Sequence, residues 1–276
     1  MNVSGPVTIV TGGTFGLGRS VALELARRGH SIVALGLDAR QESSLAENGI
    51  ETLNAEFADA GLKGVAISAD VSNQGAIEAV VADVLAKQGH IDGLVNNAAI
   101  GPLGTVLDTD ERLWDRIMAV NLKGPYNCAR AVIPHMARNG GGAIVNVGSG
   151  AGWGKPNMAA YAASKGGLFA LSAALAYDHF HQHIRVNTVV PGGGGIVTGM
   201  SLGRVDGDLS RIGRSAPGTA AGRVMTGRDL ASTIAFLLSA EAEAISGTVI
   251  DIGCFAHQGG PIPPQSPAPS RHGLRA

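Results

Sequence analysis

An alternation constrains this chain more than any other feature. Short β-branched, apolar runs at Val7–Thr11, Ser31–Leu35, Gly64–Ser68, Gly93–Asn96, Ala143–Val147, Arg185–Val190 and Thr248–Asp251 are separated by stretches with helical periodicity. Those stretches are about 17–28, 41–60, 74–88, 109–137, 159–181 and 227–239. Near-continuous apolar strands are buried on both faces, which a parallel sheet achieves when helices cover it on each side. Right-handed crossovers then dictate a doubly wound α/β fold of seven strands, mostly parallel. No linker interrupts the pattern, so one domain is expected over residues 1–258. Within it, 196–222 is rich in Gly, Ser and Arg and reads as a loop or lid. Residues 259–276 (GGPIPPQSPAPSRHGLRA) are Pro-rich and polar and read as a tail without packed structure of its own.

The first strand runs directly into Gly12-Gly-Thr-Phe-Gly-Leu-Gly18, and helical periodicity follows at once. A glycine-rich turn between a first strand and a first helix aims backbone N–H groups at a helix N-terminus, which is a phosphate site. Gly12, Gly16 and Gly18 permit the tight turn, the approach of a pyrophosphate, and close helix–strand packing. Asp38 lies 20 residues after Gly18, at the end of the second strand. An acid there bonds adenosine ribose hydroxyls and repels a 2′-phosphate, which favours NAD over NADP. Arg40 argues the other way, and Asp38 also suits a loop or a helix N-cap.

Tyr161 and Lys165 share one helical face four residues apart. An unperturbed phenol has a pKa of about 10, and a neighbouring cation lowers it. Such a pair can serve as a proton-transfer device for an alcohol or ketone, although Tyr and Lys also fall four apart by chance in many helices. Composition removes the competing classes. The net charge of -1, with no basic stripe, gives no reason to expect nucleic acid or a membrane surface as partner. Cys128 and Cys254 fit reduced thiols in a cytoplasmic protein. Neither CxxC nor HExxH occurs, so no metal is expected. His179, His181 and His183, at i, i+2 spacing, read as a solvated helix end. The N-terminus carries no signal-peptide pattern, and no run of 18 apolar residues suggests a membrane span.

With Thr11-Gly-Gly-Thr-Phe-Gly-Leu-Gly18 and Tyr161-Ala-Ala-Ser-Lys165 together, residues 5–253 resemble the short-chain dehydrogenase/reductase family, a Rossmann fold. Asp70-Val71, Asn96-Asn-Ala-Ala99, Trp114–Asn121, Asn146-Val-Gly-Ser149, Arg185-Val-Asn187 and Pro191-Gly192 match further family motifs in order. The resemblance implies an NAD(P)-dependent oxidoreductase that interconverts a secondary alcohol and a ketone. It implies Tyr161 as general acid/base, and Lys165 lowering its pKa and bonding the nicotinamide ribose. Ser149 would hold the substrate oxygen, and Asn121 would order a water in a proton relay. It implies cofactor contacts from Gly12, Thr14, Phe15, Gly16, Leu17, Gly18, Asp38, Asp70, Val71, Asn97, Ala98, Ala99, Tyr161, Lys165, Pro191, Gly192, Ile196 and Thr198. Plainer roles exist for two of these residues: Asn121 bracing a helix kink, and Ser149 capping a turn.

Four departures from the family pattern bear on the site. Ala99 replaces a glycine, which is tolerable only where φ is negative. Ser149 lies 12 residues before Tyr161, one fewer than is common in the family. Gly36 stands where NAD-preferring relatives commonly carry Asp. The run Pro191-Gly-Gly-Gly-Gly195-Ile-Val-Thr198 is longer than usual and suggests a hinge before the lid. Two alternatives remain at this stage: a lyase or epimerase of the extended branch, and a non-catalytic dinucleotide sensor. Leu103, Trp153, Met158, Met200 and Leu202 are candidate pocket residues for an apolar or alicyclic substrate. The alanine-rich helices 109–137 and 159–181 are those that relatives pair into homodimers and homotetramers.

Overall fold

The computed structural model describes residues 5–37, 49–192, 200–201, 208 and 219–252. Seven parallel strands form one sheet in the order β3-β2-β1-β4-β5-β6-β7. They are β1 (Val7–Thr11), β2 (Ser31–Gly36), β3 (Gly64–Ser68), β4 (Gly93–Asn96), β5 (Gly142–Val147), β6 (Ile184–Val190) and β7 (Val249–Asp251). All the strand pairs are parallel, where the sequence predicted mostly parallel. The helices are α1 (Gly16–Arg27), α2 (Gly49–Asp59), α3 (Gln74–Gln88), α4 (Glu111–Met118), α5 (Gly124–Arg138), α6 (Ala159–Asp178) and α7 (Gly227–Leu238).

The strand pattern explains why the apolar runs are continuous. β1, β2 and β4 are buried at every residue, and only the edge strands β3 and β7 expose positions. Period-two alternation sends Val10, Ile32, Ala34, Val95, Val145 and Val189 to one face, where Val21, Leu25, Phe57, Leu230 and Ile234 of α1, α2 and α7 cover them. The other face carries Val7, Ile9, Val33, Leu35, Leu94, Ile144 and Val186 under α3, α5 and α6. Each fully buried Val, Ile or Leu contributes about 1.5–3 kcal/mol of transfer free energy, and both faces of the sheet collect it.

Two predicted helices end differently from the sequence reading. The stretch 109–137 is not one helix: α4 stops at Met118, a π turn spans Ala119–Lys123, and α5 resumes at Gly124. Residue 125 is proline and has no N–H, so the ordinary bond back to the Asn121 carbonyl cannot form. Gly124 N–H instead bonds the Ala119 carbonyl, five residues back. The stretch 159–181 ends at Asp178, and a short 3-10 turn follows at Phe180–Gln182. His183 closes it at φ +57, and both His181 and His183 are exposed. Of the predicted helix 41–60, the part from Gly49 is seen and 41–48 lies outside the described residues. The predicted tail 259–276, Cys254 and most of the predicted lid 196–222 also lie outside them.

Candidate active site

β1 lies between β2 and β4, so the strand order reverses beside it. Crossovers leave to opposite faces there and open a crevice at the carboxyl ends of the strands. A cavity of about 620 Å³ occupies that place. Its first wall is the glycine turn: Gly12, Thr14, Phe15, Gly16, Leu17 and Gly18 all line it. Gly12 has φ +59, which an L side chain rarely adopts. Gly18 needs its missing side chain for space, because a Cβ there would lie 2.0 Å from the Gly12 carbonyl oxygen. Phe15 begins α1 without a side-chain cap, and no acid sits in the first turn. The helix therefore turns uncapped N-terminal N–H groups and a positive dipole end toward the cavity.

Thr11 locks this turn to the end of β4. Its hydroxyl accepts from Asn97 N (3.0 Å) and Ala98 N (3.1 Å). Asn97 Nδ2 in return donates to the Thr11 and Gly12 carbonyls at 3.1 and 3.0 Å. Asn97, Ala98 and Ala99 line the cavity. Ala99 is not among the described residues with positive φ, so its extra methyl carries no backbone strain. Asp70 and Val71 also line the cavity, and the Asp70 carboxylate accepts from both the N–H and the hydroxyl of Ser72 at 2.8 Å.

Tyr161 and Lys165 stand on the first turns of α6, both buried and both facing the cavity. The Lys165 ammonium lies 5.9 Å from the centre of the Tyr161 ring and donates to the Val147 carbonyl at 2.8 Å. Burial lowers its pKa from 10.5 to about 8, so the cation persists at neutral pH but loses its proton more readily than a surface lysine. A buried relay fixes α6 against the sheet. Asn96 Nδ2 donates to Asn146 Oδ1, Asn146 Nδ2 to Ser172, and the Ser172 hydroxyl to the Leu168 carbonyl.

Ser149 also lines the cavity while capping the 3-10 turn Gly150–Trp153, its hydroxyl accepting from Ala151 N at 3.2 Å. That turn takes up the segment shortened by one residue. Asn121 sits behind the wall, fully buried in the π turn. Its Oδ1 accepts from Ile100 N (2.9 Å), and its Nδ2 donates to the Ile100 carbonyl (2.8 Å) and the Ser164 hydroxyl (3.1 Å). Ser164 donates in turn to the Tyr161 carbonyl at 2.8 Å. The side chain thus braces the kink and links it to the backbone of Tyr161. Both amide hydrogens are used, which leaves one lone pair on Oδ1 for a water.

Pro191 lines the cavity and Gly192 does not; Asp38, Ile196 and Thr198 fall outside the described residues. Met200 is in the wall, whereas Leu103, Trp153 and Met158 are not, and Leu202 is outside the described residues. Among the described residues no group of three metal-ligating side chains exists, and no helix is long and apolar enough to cross a membrane.

The family described as enoyl-(acyl carrier protein) reductase matches residues 12–254, most of the chain. The chain belongs to the short-chain dehydrogenase/reductase family. It is an oxidoreductase acting on CH–OH groups. It is 33% identical over 245 residues to the 3-oxoacyl-[acyl-carrier-protein] reductase FabG of Staphylococcus aureus, covering 88% of this chain and 95% of that one. It is 36% identical over 259 residues to 2-(S)-hydroxypropyl-CoM dehydrogenase 3 of Xanthobacter autotrophicus, covering 92% and 95%. Among solved structures, 3-ketoacyl-(acyl-carrier-protein) reductase from Brucella melitensis complexed with NADH superimposes with a TM-score of 0.77 at 31% identity, covering 92% of this chain and 99% of that one. Actinorhodin polyketide ketoreductase with NADPH gives 0.79 at 27% identity, covering 92% and 98%.

Residues to which the motifs gave no role also shape the cavity. Thr11, Ile100 and Ser164 hold the turn, Asn121 and Tyr161 in register. Gly36, Leu37, Ala119 and Val120 add to the wall. Gly36 stands out in the sequence by its place at the strand end, and Leu37 follows it. Nothing local marks Ile100 or Ser164, whose bonds reach across 21 and 43 residues.

Proposed function

We propose that this cavity binds a nicotinamide dinucleotide and that the enzyme interconverts a secondary alcohol and a ketone, with Tyr161 as general acid and base. One observation carries the reading: the glycine turn and the Tyr161–Lys165 face line one continuous cavity. The glycines fit the group, since side chains at 12 or 18 would collide with Asn97, Ala98 or the Gly12 carbonyl and deform the turn that would cradle it. Gly12, Gly16, Leu17 and Gly18 would hold the pyrophosphate, Asp70 and Val71 the adenine, and Asn97 to Ala99 with Lys165 the nicotinamide ribose. Asp38, Gly192, Ile196 and Thr198 complete the proposed set.

When bound, the dinucleotide supplies or takes the hydride. The chain manages orientation and the proton. In the reducing direction Tyr161 gives its phenolic proton to the substrate oxygen as the carbonyl carbon is reduced; in oxidation it takes that proton back. The Lys165 ammonium stabilises the phenolate left behind. Ser149 donates to the substrate oxygen and polarises it. Asn121 sets the position of Tyr161 through Ser164 and offers its remaining lone pair to a relay water.

NAD is the favoured cofactor, because an acid after β2 would repel a 2′-phosphate, and NADP is the alternative. Substrates are ketones or secondary alcohols with an apolar flank, given Ile100 and Met200 in the wall. The names of the relatives, reductases of 3-oxoacyl groups and a dehydrogenase of a hydroxypropyl group, support that class. We further propose one domain over 1–258, a cytoplasmic location, and a homodimer or homotetramer. An apolar groove on the outer face, lined by Met118, Leu122, Tyr126 and Leu171, supports self-association through α4, α5 and α6. Light scattering tests that assembly, and a monomer refutes it.

The functional test is Tyr161→Phe with a ketone panel and both dinucleotides. Turnover should fall about 10²–10⁴-fold, the usual size of a general-acid contribution, while dinucleotide affinity measured by fluorescence titration stays near that of the parent. Undiminished turnover refutes the role of Tyr161.

A further inference from the structure

The carboxyl end of β2 is closed by a side chain of the glycine turn. Gly36, the last residue of the strand, faces Thr14: a Cβ at 36 would lie 2.2 Å from Thr14 Oγ1, 2.7 Å from its Cγ2 and 2.9 Å from its Cβ. Rotation about χ1 moves Oγ1 and Cγ2 but leaves Cβ in place, so no rotamer of Thr14 frees the position. Thr14 cannot retreat either. It is buried, and its carbonyl accepts from Arg19, which Glu56 and Thr52 hold at 2.9 Å each. Behind it, a Cβ at Gly49 would sit 3.0 Å from the Thr14 carbonyl oxygen, so the start of α2 abuts the same residue. Thr14, Gly36 and Leu37 all line the cavity, and no cation of β2 or of the glycine turn does so among the described residues.

We propose that Thr14 is a specificity-determining residue of the cofactor site. It keeps every side chain, and therefore any ribose-binding carboxylate, off position 36. The strand end is left without charge toward either a 2′-hydroxyl or a 2′-phosphate, and the choice between them passes to residues beyond the strand. The proposal rests on the reading that this cavity binds a nicotinamide dinucleotide. It makes Thr14 and Gly36 a coupled pair: an acid at 36 becomes useful only when position 14 is emptied.

The experiment uses the full chain carrying Gly36→Ala, Gly36→Asp, Thr14→Gly and the two double variants. Each is melted without dinucleotide, then titrated with NADH and NADPH by fluorescence. Gly36→Ala and Gly36→Asp should each lower the melting temperature in the parent, and Gly36→Asp should weaken both dinucleotides by about tenfold or more, equivalent to 1.4 kcal/mol. On the Thr14→Gly background the same substitutions should cost little stability. The Thr14→Gly/Gly36→Asp double should recover NADH binding and raise the NADPH-to-NADH ratio of dissociation constants by about tenfold over the parent. A Gly36→Asp single variant that melts like the parent and prefers NADH overturns the proposal. So does a double variant whose ratio stays at the parent value while the parent binds normally. A parent that binds neither dinucleotide refutes the cofactor reading itself, and the proposal with it.

Discussion

Lys165 is expected to hold the fold back, because its ammonium is buried. Its side chain is 2% exposed, and burial lowers its pKa from 10.5 to about 8. At about 1.4 kcal/mol per pH unit, keeping that ammonium charged inside the fold costs about 3 kcal/mol. Lys165→Met keeps the length and apolar stem but removes the charge. It also removes the bond to the Val147 carbonyl, which offsets part of the gain, so the variant should be more stable at pH 7 by about 1–2 kcal/mol. The sign follows from proton linkage. The unfolded chain holds the lysine proton up to 10.5, whereas the native chain releases it near 8. Wild-type stability therefore rises with pH across that window, and the variant has no such proton. The advantage of the variant is full below pH 8, shrinks above it, crosses zero at about pH 9 and reverses by 10.5, where only the lost bond to Val147 remains. Thermal unfolding of dinucleotide-free protein at pH 7 and pH 9.5 reads it, with about 2–4 °C per kcal/mol expected for a chain of this size. A variant less stable than wild type at pH 7, or a gap that does not change with pH, refutes the reasoning. Turnover should be lost throughout, since stability and function oppose each other at this residue.

Three further outcomes are expected. Gly18→Ala places a methyl 2.0 Å from the Gly12 carbonyl oxygen and 2.4 Å from Asn97 Nδ2, so calorimetry should find dinucleotide binding abolished and stability lower by about 1–3 kcal/mol; binding at parental affinity would contradict the packing described. Asn121→Ala strips partners from the Ile100 N–H and carbonyl at the π turn, and urea unfolding should register a loss of about 2–4 kcal/mol. A loss under about 1 kcal/mol would mean that the brace is dispensable. Cys128 is buried and its thiol is pushed up to about 12, so in a Cys254→Ser variant an aromatic disulfide reagent should leave the native protein unlabelled and label it fully in denaturant.

The strands were legible in the sequence almost to the residue, because burial on both faces leaves no polar alternation to blur their limits. Val7–Thr11, Gly64–Ser68 and Gly93–Asn96 appear as read, and the remaining strands shift by one residue at an end. Helix interiors were legible from their periodicity, but helix interruptions were not. Pro125 is a visible breaker, yet its missing N–H fits equally well a helix start or a kink. What selects the π turn is Asn121 reaching Ile100 across the fold. The edge strand β7 begins one residue later than read, at the exposed Val249.

The site divides along the same line between local and long-range physics. Residues whose role follows from spacing were found directly: the glycine turn needs only backbone freedom, and Tyr161 with Lys165 needs only a helical face. They meet in one cavity because β1 and β5 end at the same edge of the sheet, two strands apart. Residues that act by touching something distant in sequence stayed hidden. Thr11 looks like the last residue of a strand until its hydroxyl is seen to receive two N–H groups from positions 97 and 98. Gly36 reads from the sequence as a missing acid, an absence that weakens any preference for NAD. Across the turn from it stands Thr14, 22 residues earlier, and its Cβ turns that absence into a steric requirement. The glycine at 36 and the threonine at 14 are therefore one feature, and any change of cofactor preference made at the strand end has to begin at the turn.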